Sequence, residues 1–588
     1  MPMRNAEIAA AMEELGTLYE LDGAVRYRVL AYKEAGRVIR QSPVSVEELA
    51  LAGRATELPG IGATLQDKIV ALVETGEIPS ATKLKRRFPA SLVEVTRLPG
   101  VGAKTARRLY DELGVTNLTE LREAAVAERI RGVKGLGEKF EAGVITAIDR
   151  LSEEGAPGRV LLSKVLPVAE ELAEALREHP ASERVTVAGS ARRMAETCKD
   201  IDLIATATDP PALATALNEH PLAAQSGSGG EAGARIVTFN GISVDLRIVP
   251  PDAYGNLLQH FTGSAAHNIE LRERAVKAGL SVSEHGIAAV EDGDVARYAS
   301  EEEVYERLGL SYIEPELREG NGEIAAAAAG KLPDLVAVGD LRGDLHCHTT
   351  LSDGRNSLTE MADAARGRGY TYLAVTDHSA SHGFGDHVTP QALWERIEEI
   401  AAYNGAAKRR FQLLAGSEVN IATDGSLDYD DDLLEALDWV VASVHTSFRI
   451  SGEEMTKRVI TAIENPHVDC IGHLTGRLIG RREPYDIDVE AVAEAAAANR
   501  TFLEINGNPN RRDLSERHAR LAADAGVSIC VNTDAHGVDT LSNIVYGIAT
   551  ARRAWLTKRN VANTRSWREL MKLRGRTSYR RSVDSSLN

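Results

Sequence analysis

From Gly343 onward, short apolar runs alternate with longer segments of helical periodicity. The apolar runs are DLHCHTT, YLAVTDHS, LLAGSEVNI, WVVASVHTS, VDCIGHL, TFLEINGN and ISICVNTDAH. Strands that alternate with helices are typical of parallel sheets, and seven such strands indicate a barrel. In a parallel barrel the functional side chains gather at the carboxyl ends of the strands. The pattern therefore predicts a barrel for residues 343–588, with its active site on one rim.

Residues 1–140 follow a different pattern, in which helical segments flank three glycine-rich elements. These elements are LPGIG at 58–62, LPGVG at 98–102 and VKGLG at 133–137. Glycine allows close backbone approach, and the N–H groups at the start of the next helix can hold a phosphate oxygen whatever the base sequence. We predict helical hairpins that bind the DNA backbone, with contacts at Gly60, Gly62, Gly100, Gly102 and Lys104. The alternative for any single element is a turn that merely joins two helices.

The middle of the chain indicates a mixed helix and sheet region. EGAPG at 154–158 is interpreted as a linker, and after it come the helix LLSKVLPVAEELAEALREH and the strands RVTVAG, DIDLIATA, RIVTF and ISVDLRIV. Residues 256–310 return to helices and turns, and GNGEIAAAAAGKLPDLVAVGDL is typical of an inter-domain connection. Several domains are therefore expected, as a length of 588 residues also requires.

Composition narrows the class of protein. Hydrophobic residues make up 43% of the chain and charged residues 26%, which excludes a disordered or fibrous protein. No apolar run is long enough to span a membrane, and MPMRNAEIAAAMEELG lacks the apolar core of a signal peptide. The four cysteines form no CxxC pair, which fits a reducing compartment. We expect a cytoplasmic protein without a membrane partner.

The net charge of −18 argues against a nucleic-acid partner until its distribution is considered. Residues 81–108 contain eight basic residues and a single acidic residue, Glu94. Residues 552–581 form a second basic stretch, in which Glu569 is the only acidic residue. Either stretch is equally consistent with a solvated surface. Charge alone therefore does not decide whether the chain binds DNA.

Three aspartates form the first candidate site. Asp200 and Asp202 lie two residues apart on a predicted strand, so their carboxylates share one face, and Asp245 lies on another predicted strand. Converging carboxylates repel one another unless cations neutralise them, and hard oxygen ligands suit Mg²⁺. A turn that can hold phosphate, with a counter-charge beside it, is expected at Gly189, Ser190 and Arg193. The alternative for the DxD pair is an ordinary surface pair.

The motifs around these residues resemble a known family. GSARR at 189–193, DID at 200–202, VDLR at 244–247 and FTGS at 261–264 resemble, in this order, the palm and thumb of a family X DNA polymerase, the group that includes DNA polymerase beta. The resemblance covers residues 1–318, and the glycine-rich hairpins fit it. It implies that Asp200, Asp202 and Asp245 are catalytic and hold two Mg²⁺ or Mn²⁺ ions. It further implies contacts with the incoming deoxynucleoside triphosphate at Arg159, Gly189, Ser190, Arg193, Gly263, Asn268 and Arg272.

Two positions depart from the family pattern. His260 precedes Phe261 where tyrosine is usual, so discrimination against ribonucleotides stays open. Lys68 aligns with the Schiff-base lysine of 5′-deoxyribose-phosphate lyase activity, but Thr64 stands where the family has a neighbouring lysine. A weak lyase activity is therefore expected at Lys68, and a solubilising surface lysine is the alternative.

The second candidate site lies on the rim of the predicted barrel. His346 and His348 share one strand face, so Cys347 between them is predicted to face the core. Six histidines and three carboxylates at one rim are not plausible as packing, because buried imidazoles and carboxylates are costly without cations. The candidate ligands are His346, His348, Asp353, His378, Glu418, His445, His473, Asp534 and His536.

This rim resembles the polymerase-and-histidinol-phosphatase (PHP) domain, a distorted barrel of seven β/α units that is fused to bacterial and archaeal family X polymerases. The resemblance implies three divalent metals, which the mixed ligands allow to be Mn²⁺, Zn²⁺ or Fe²⁺. One would take His346, His348, Glu418 and Asp534; the second would share Glu418 and add His445 and His473; the third would take Asp353, His378 and His536. Neighbouring phosphates are expected at Arg477, Arg481, Arg482 and Arg511.

The two resemblances together imply a DNA repair polymerase that fills gaps and also processes 3′ ends as a 3′→5′ exonuclease. Its expected partners are gapped or primer–template DNA and deoxynucleoside triphosphates, and a monomer is expected. Abasic-site endonuclease activity is a further expectation. The expected domains are an N-terminal helical domain at 1–85, a fingers-like domain at 86–154, palm at 155–250, thumb at 251–318, linker at 319–342 and PHP at 343–588. The alternatives are a small-molecule phosphoesterase tethered to DNA and a DNA-end binder without catalysis.

Overall fold

The structure is a computed structural model that describes residues 3, 5–42, 44–96, 98, 101–153, 158–227, 230–289, 294–379, 388–406 and 411–575. Gly100 lies outside these residues, and of the expected linker EGAPG only Gly158 lies within them. By packing, the chain divides into two compact units. The first unit comprises 1–160, 164–188 and 199–254, and the second comprises 161–163, 189–198 and 255–588.

The first unit begins with a run of helices. They are α1 (Asn5–Leu21), α2 (Arg26–Gln41), α3 (Val46–Leu51), α4 (Ala63–Thr75), α5 (Pro79–Lys85), α6 (Ala90–Val95), α7 (Ala103–Leu113), α8 (Leu118–Val126) and α9 (Glu138–Glu153). Helix α1 buries Ile8, Met12 and Leu15, which recur at helical spacing and pack into one shared core. Both α4 and α7 start after a glycine and end at another, Gly76 and Gly114, whose left-handed conformation stops the helix.

The region from Val160 to Ile248 contains both helices and strands. The elements are β1 (Val160–Leu161), α10 (Leu162–Glu178), β2 (Ser182–Val187), α11 (Gly189–Arg192), β3 (Thr197–Cys198), β4 (Asp200–Ala207), α12 (Pro210–Asn218), β5 (Ala223–Ser226), β6 (Gly233–Thr238) and β7 (Ser243–Ile248). One sheet of the first unit has the order β2-β4-β7-β6-β5, in which only β4 and β7 run parallel. Ile201, Leu203, Val244 and Leu246 are buried along these two strands. The predicted alternation of buried and site-facing positions on both strands is confirmed.

In the second unit a helical region with a small sheet precedes the barrel. Its elements are α13 (Tyr254–Thr262), α14 (Ala265–Lys277), β8 (Leu280–Ser283), β9 (Gly286–Ala289), β10 (Val295–Ala296), α15 (Glu301–Arg307) and α16 (Glu323–Ala328). The three strands form an antiparallel sheet. Around Tyr305 a buried polar network joins His267, Glu323, Arg318 and Glu301. These ionic groups lie beside an apolar core that includes Leu271, Ile313 and Leu317.

The rest of the second unit alternates strands with helices. The elements are β11 (Gly343–Asp344), α17 (Leu358–Gly367), β12 (Tyr372–Val375), α18 (Pro390–Ala406), β13 (Gln412–Asn420), α19 (Asp431–Ala436), β14 (Trp439–Ser443), α20 (Gly452–Ile463), β15 (Cys470–Ile471), α21 (Val489–Asn499), β16 (Phe502–Asn506), α22 (Glu516–Asp524), β17 (Ile529–Asn532), α23 (Ile544–Arg553) and α24 (Trp567–Leu570). Single 3₁₀ turns lie at Ala55–Glu57, Ile130–Gly132, Pro251–Ala253, Pro315–Leu317, Val338–Asp340, Thr540–Asn543 and Ala562–Thr564.

The seven strands β11 to β17 pair in chain order, and every pair is parallel. A parallel bridge between Cys347 and Ala535 joins the first strand to the last beyond their ends. One core cluster lies between strands and helices, and a second, with Tyr372, Trp439 and Phe502, fills the other face of the strands. The predicted parallel barrel is therefore confirmed.

The first barrel strand is shorter than the sequence predicts. Strand β11 ends at Asp344, so His346 and His348 follow the strand instead of lying on it. The reason is that backbone N–H groups here bond to side chains: Leu345 donates to Asn532 Oδ1 at 3.2 Å and Cys347 donates to Thr376 Oγ1 at 3.1 Å. Cys347 still lies in the core, as predicted. Within the described residues, no helix is long and apolar enough to cross a membrane.

Candidate active sites

The three aspartates lie on two adjacent strands in the sheet of the first unit. Asp200 and Asp202 lie on β4, and the parallel register places Asp202 directly opposite Asp245 on β7. The carboxylate of Asp245 accepts hydrogen bonds from Arg235 at 2.8 Å and from Arg247 at 3.4 Å. Because like charges this close repel, carboxylates on adjacent strands need positive charge nearby, and a divalent cation would supply it.

The glycine-rich hairpins also lie in the first unit. Gly60 has a φ of 77°, which favours glycine, and Gly62 and Gly102 directly precede α4 and α7. The N–H groups of the first turn of each helix therefore have no partner within their own helix. Lys104 is an exposed residue in the first turn of α7. On α4, Lys68 Nζ donates to Ser80 Oγ at 3.1 Å. Arg159 is exposed.

The second unit brings together Arg193 and Gly263. The Nε of Arg193 donates to Glu319 Oε1 at 2.9 Å, and its Nη1 donates to the carbonyl oxygen of Thr262. A Cβ atom on Gly263 would lie 3.2 Å from Arg193 Nη1, and the φ of Gly263 is 65°. Glycine is therefore required there both by space and by conformation. Gly189, with a φ of 62°, begins α11, and Ser190 follows it.

Asn268 and Arg272, one turn apart on α14, both contact His260. Asn268 Nδ2 donates to the carbonyl oxygen of His260 at 2.8 Å, and its Oδ1 accepts from Gln259 at 2.9 Å. Arg272 Nη2 lies 3.5 Å from His260 Nδ1. His260, which departs from the family pattern, therefore touches both residues of α14 that are predicted to bind the nucleotide.

On the barrel rim, the buried carboxylate of Glu418 lies among imidazoles. Its two oxygens lie within 2.9 to 3.6 Å of ring nitrogens on His346, His348, His378, His445 and His473. Neither oxygen has a partner with hydrogen-bond geometry. A buried carboxylate without hydrogen bonds is costly unless it binds a cation, so the donor set fits divalent metals.

Two further carboxylates complete the rim. Asp534 Oδ1 lies 3.1 Å from His348 Nε2 and 3.6 Å from His536 Nδ1. Asp353 Oδ2 lies 3.2 Å from His536 Nε2 and 3.6 Å from His378 Nε2. Three groups have ligand atoms within 4.8 Å of one another: His348, Asp353, His378 and His536; His346, His348 and Asp534; and His378, Glu418 and His445. These groups contain eight of the nine predicted ligands, with His348 and His378 each in two groups, and the ninth ligand, His473, lies 2.9 Å from Glu418.

The charges of the rim are strongly coupled. Burial by itself raises the pKa of Glu418, but the imidazoles of His346, His445 and His378 outweigh burial and hold that pKa well below its ordinary value. Burial, together with His536 and His378, lowers the pKa of His348 to about 4. Burial opposes charge on His536, but Asp353 and Asp534 raise its pKa to about 9. The imidazoles and carboxylates of the rim therefore shift one another's pKa values in opposite directions.

Glu504 is a candidate positioning residue that the sequence argument missed. It lies on β16 and is fully buried, and its Oε1 lies 2.7 Å from His346 Nδ1. Its Oε2 accepts a hydrogen bond from the backbone N–H of His473 at 2.9 Å. A carboxylate on the distal nitrogen of a metal-ligating imidazole fixes its tautomer and orientation. The alternation of Glu504 and Asn506 on one strand face could have indicated this role.

The candidate phosphate-binding arginines differ in their contacts. Arg477 forms two hydrogen bonds with Glu196, one of 3.2 Å, and Arg482 Nε donates to the carbonyl oxygen of Gly476 at 2.7 Å. Arg511 Nε lies 3.7 Å from Asp534 Oδ2, and Arg481 is exposed. Within the described residues, Arg511 is the one of these four arginines whose guanidinium lies within 4 Å of a predicted ligand.

Comparison with known proteins agrees with this arrangement. Four family descriptions match the chain: a helix-hairpin-helix domain at 3–78, a SAM-like helix-hairpin-helix tandem at 92–149, the DNA polymerase beta thumb at 257–319 and the PHP domain at 344–508. The DNA polymerase/3′-5′ exonuclease PolX of Bacillus subtilis (strain 168) is 36% identical over 570 residues, which cover 97% of this chain and 99% of that protein.

The chain belongs to the PolX family. Its predicted helical hairpins, polymerase thumb and PHP domain are confirmed by these matches. Part of the chain is also similar to probable phosphatases. One from Thermoanaerobacter sp. (strain X514) is 34% identical over 38% of this chain and 89% of its own length. The probable phosphatase YcdX of Escherichia coli O139:H28 is 29% identical over 34% of this chain and 80% of its own length. PolX and PHP enzymes use divalent metals, and the rim groups of this chain are able to bind them.

Proposed function

We propose that this chain is a DNA repair polymerase with a second, metal-dependent 3′→5′ exonuclease site. The polymerase adds deoxynucleotides to a primer 3′-hydroxyl in gapped or primer–template DNA, and the exonuclease removes nucleotides from 3′ ends. The observation that carries the proposal is the set of candidate metal ligands on the barrel rim in a member of the PolX family, and the pairing of Asp202 with Asp245 in the strand register supports the polymerase site.

At the polymerase site, Asp200, Asp202 and Asp245 would hold two Mg²⁺ or Mn²⁺ ions. Such ions stabilise the charge of an in-line displacement at the α-phosphate. The parallel register supports this role because it sets Asp202 beside Asp245. Each nucleotide contact is proposed from its place in the family motifs: Arg159, Gly189, Ser190 and Arg193 at the triphosphate, and Gly263, Asn268 and Arg272 near the nascent base pair. The hairpins with Gly60, Gly62, Gly100, Gly102 and Lys104 would bind the DNA backbone without regard to sequence.

At the barrel rim, the nine ligands would hold up to three divalent metals, Mn²⁺, Zn²⁺ or Fe²⁺. One ion would take His346, His348, Glu418 and Asp534, a second Glu418, His445 and His473, and a third Asp353, His378 and His536. When bound, such ions activate water and neutralise the charge that develops at phosphorus. Glu504 would orient His346, and Arg511 is placed to contact a neighbouring phosphate. Cleavage at abasic sites would use the same rim.

Two variants test the assignment of the sites. In a primer–template assay with Mg²⁺ or Mn²⁺, Asp200→Ala should lose templated nucleotide addition and retain release of mononucleotides from a 3′-labelled strand. The double variant His346→Ala and His348→Ala should show the reverse. Templated addition by Asp200→Ala would refute the polymerase site, and full exonuclease activity in the double variant would refute the rim.

The similarity to probable phosphatases favours a second candidate, a small-molecule phosphoesterase tethered to DNA. The two candidates differ in substrate. Release of mononucleotides from a 3′-labelled strand supports the exonuclease, whereas phosphate release from histidinol phosphate, without nucleotide release, supports the phosphoesterase.

The remaining proposals concern organisation. We propose the domain boundaries expected from the sequence, a monomeric state and a cytoplasmic location, all of which are consistent with a DNA substrate. The helical hairpins and the thumb imply that the chain binds DNA. Analytical ultracentrifugation with and without gapped DNA would test the monomer, since a dimer would double the sedimenting mass.

A further inference from the structure

The segment 189–198 groups with the barrel unit, although the chain before and after it belongs to the first unit. This segment carries Ser190 and Arg193. It folds as a compact turn, in which the N–H of Met194 donates to the carbonyl oxygen of Ala191 and the N–H of Ala195 donates to that of Ser190, both at 3.0 Å. Because these hydrogen bonds link the residues of the turn, a contact that holds one residue also restrains the position of the others.

Three arginines of the barrel domain hold this turn. Arg477 binds the carboxylate of Glu196, and Arg512 Nη1 donates to the carbonyl oxygen of Met194 at 3.0 Å. Arg553 Nη1 donates to the carbonyl oxygen of Arg193 itself, also at 3.0 Å. Arg512 is 1% exposed and Arg553 is 9% exposed, so both contacts are shielded from water. Hydrogen bonds from buried charged donors are among the stronger and more directional contacts in proteins.

Arg553 also reaches the side chain of Arg193 through a shared carboxylate. Glu319 Oε1 accepts from Arg193 Nε at 2.9 Å and from Arg553 Nη1 at 2.7 Å. The other arm of Arg553, Nη2, donates to Glu516 on α22 at 2.9 Å. Arg553 therefore holds the carboxylate of Glu319, and this carboxylate in turn holds the guanidinium of Arg193.

We propose that Arg553 and Glu319 are positioning residues for the polymerase reaction, which makes the PHP barrel part of the nucleotide-binding apparatus. Arg553, at the end of the barrel helix α23, sets both the backbone and the guanidinium of Arg193 for the triphosphate. The inference rests on the proposed role of Arg193 as a triphosphate contact. It goes beyond that role because it gives the hydrolase domain a function in DNA synthesis.

The neighbouring residue provides a matched control. Arg552 lies on the same helix, and its Nε donates to Glu316 at 2.6 Å in a similarly sheltered pair. In the described part of the chain, the polar contacts of Arg552 are with Glu316, Glu314 and the carbonyl oxygen of Val336, and none is with a residue of 189–198. Arg552→Ala therefore removes a comparable arginine–glutamate pair without touching the turn.

The experiment measures single-nucleotide insertion on gapped DNA against deoxynucleoside triphosphate concentration. We expect Arg553→Ala to raise KM for the nucleotide by roughly tenfold, since a positioning group displaced by about 1 Å costs up to about a hundredfold. Arg552→Ala should leave KM unchanged, and exonuclease activity should persist in both. Equal KM values for Arg553→Ala and Arg552→Ala, or a parallel loss of kcat and exonuclease activity in Arg553→Ala alone, would overturn the inference.

A second pair of variants keeps the test sound if Arg553→Ala folds poorly. Glu319→Gln preserves shape but removes the charge that holds Arg193, so KM should rise. Combined with Arg193→Ala, it should add nothing further, because Glu319 acts through that guanidinium. If Arg193→Ala alone leaves KM unchanged, the proposed nucleotide contact fails. If Arg193→Ala raises KM and Glu319→Gln does not, only the positioning role fails.

Discussion

Nδ1 of His346 and Oε1 of Glu504 lie 2.7 Å apart, and both side chains are fully buried. The Nε2 atom of the same imidazole faces Glu418 at 3.3 Å. One side of His346 is therefore held by Glu504, and the other is directed to the proposed metal site. Glu504 also accepts from the backbone of His473, so one carboxylate orders two proposed ligands.

We predict that Glu504→Gln weakens metal binding at the rim about 10- to 100-fold, the usual cost of losing a carboxylate behind a ligating histidine. Exonuclease activity should then require a higher Mn²⁺ concentration, while templated synthesis stays normal. Titrating Mn²⁺ into the apoprotein checks the affinity directly. Glu490→Gln, at an exposed position on α21, is the control. Unchanged Mn²⁺ affinity in Glu504→Gln would show that Glu504 only fills space.

The rim ligands could be predicted from sequence because strand order and strand ends determine their position. Parallel strands place their carboxyl ends at one rim, so a His, Asp or Glu that follows each apolar run is brought there by topology alone. Glu504 escaped this reasoning because its apolar run, TFLEINGN, does not end in His, Asp or Glu. The sequence also did not predict that β11 is short. Backbone N–H groups after Asp344 donate to the side chains of Asn532 and Thr376 instead of to the backbone of a neighbouring strand.

Contacts between distant segments could not be predicted from sequence. Arg553 and Glu319 are 234 positions apart, and neither lies in a motif of the family. The basic stretch from Arg552 onward was consistent with either a solvated surface or a DNA-binding face. In the structure Arg552 and Arg553 pair with glutamates, and Arg565 donates to backbone carbonyl oxygens. Charge patterns indicate the number of cations but not their partners.

Metal removal and return should change the stability of the barrel. We expect Mn²⁺ added to the metal-free protein to raise its melting temperature by several degrees, because a ligand at 100 times its Kd stabilises the folded state by about 2.7 kcal/mol. Differential scanning calorimetry measures the shift. Asp200→Ala should retain it, whereas the double variant His346→Ala and His348→Ala should lose most of it. An equal shift in the double variant would place the stabilising ion elsewhere.

Lys68 provides a test at the other end of the chain. Its Nζ donates to Ser80 Oγ at 3.1 Å, and Thr64 lies one turn before it on α4. We expect slow trapping of an abasic 5′-deoxyribose phosphate on Lys68 by borohydride, since Thr64 stands where the family has a second lysine beside the one that forms the Schiff base. Lys68→Ala should lose most of the trapped complex, and Lys457→Ala, at an exposed position on α20, should keep it. Equal labelling of wild type and Lys68→Ala would remove the lyase assignment.

His267 gives the thumb a predicted pH dependence. It is fully buried, with Nδ1 2.8 Å from Glu323 Oε1 and Nε2 2.9 Å from the Tyr305 hydroxyl. Burial lowers the pKa of His267 below its ordinary value of 6.5, although Glu323 opposes the change. Burial raises the pKa of Glu323, but hydrogen bonds from His267 and from backbone N–H groups, including that of Gly320, together outweigh burial and lower that pKa. The folded protein therefore holds a neutral imidazole that donates to a carboxylate.

The sign of the effect follows from proton uptake. Below pH 6.5 the unfolded chain binds a proton at His267 that the folded chain does not, so the free energy of unfolding falls as the pH drops toward the folded pKa. We expect the melting temperature of the wild type to fall more than that of His267→Gln between about pH 7.5 and about pH 5.5, at most by the effect of one proton. Calorimetry of the metal-free proteins isolates the difference, because the rim histidines titrate alike in both. Parallel pH profiles would show that His267 takes up its proton in the folded thumb as readily as in the unfolded chain.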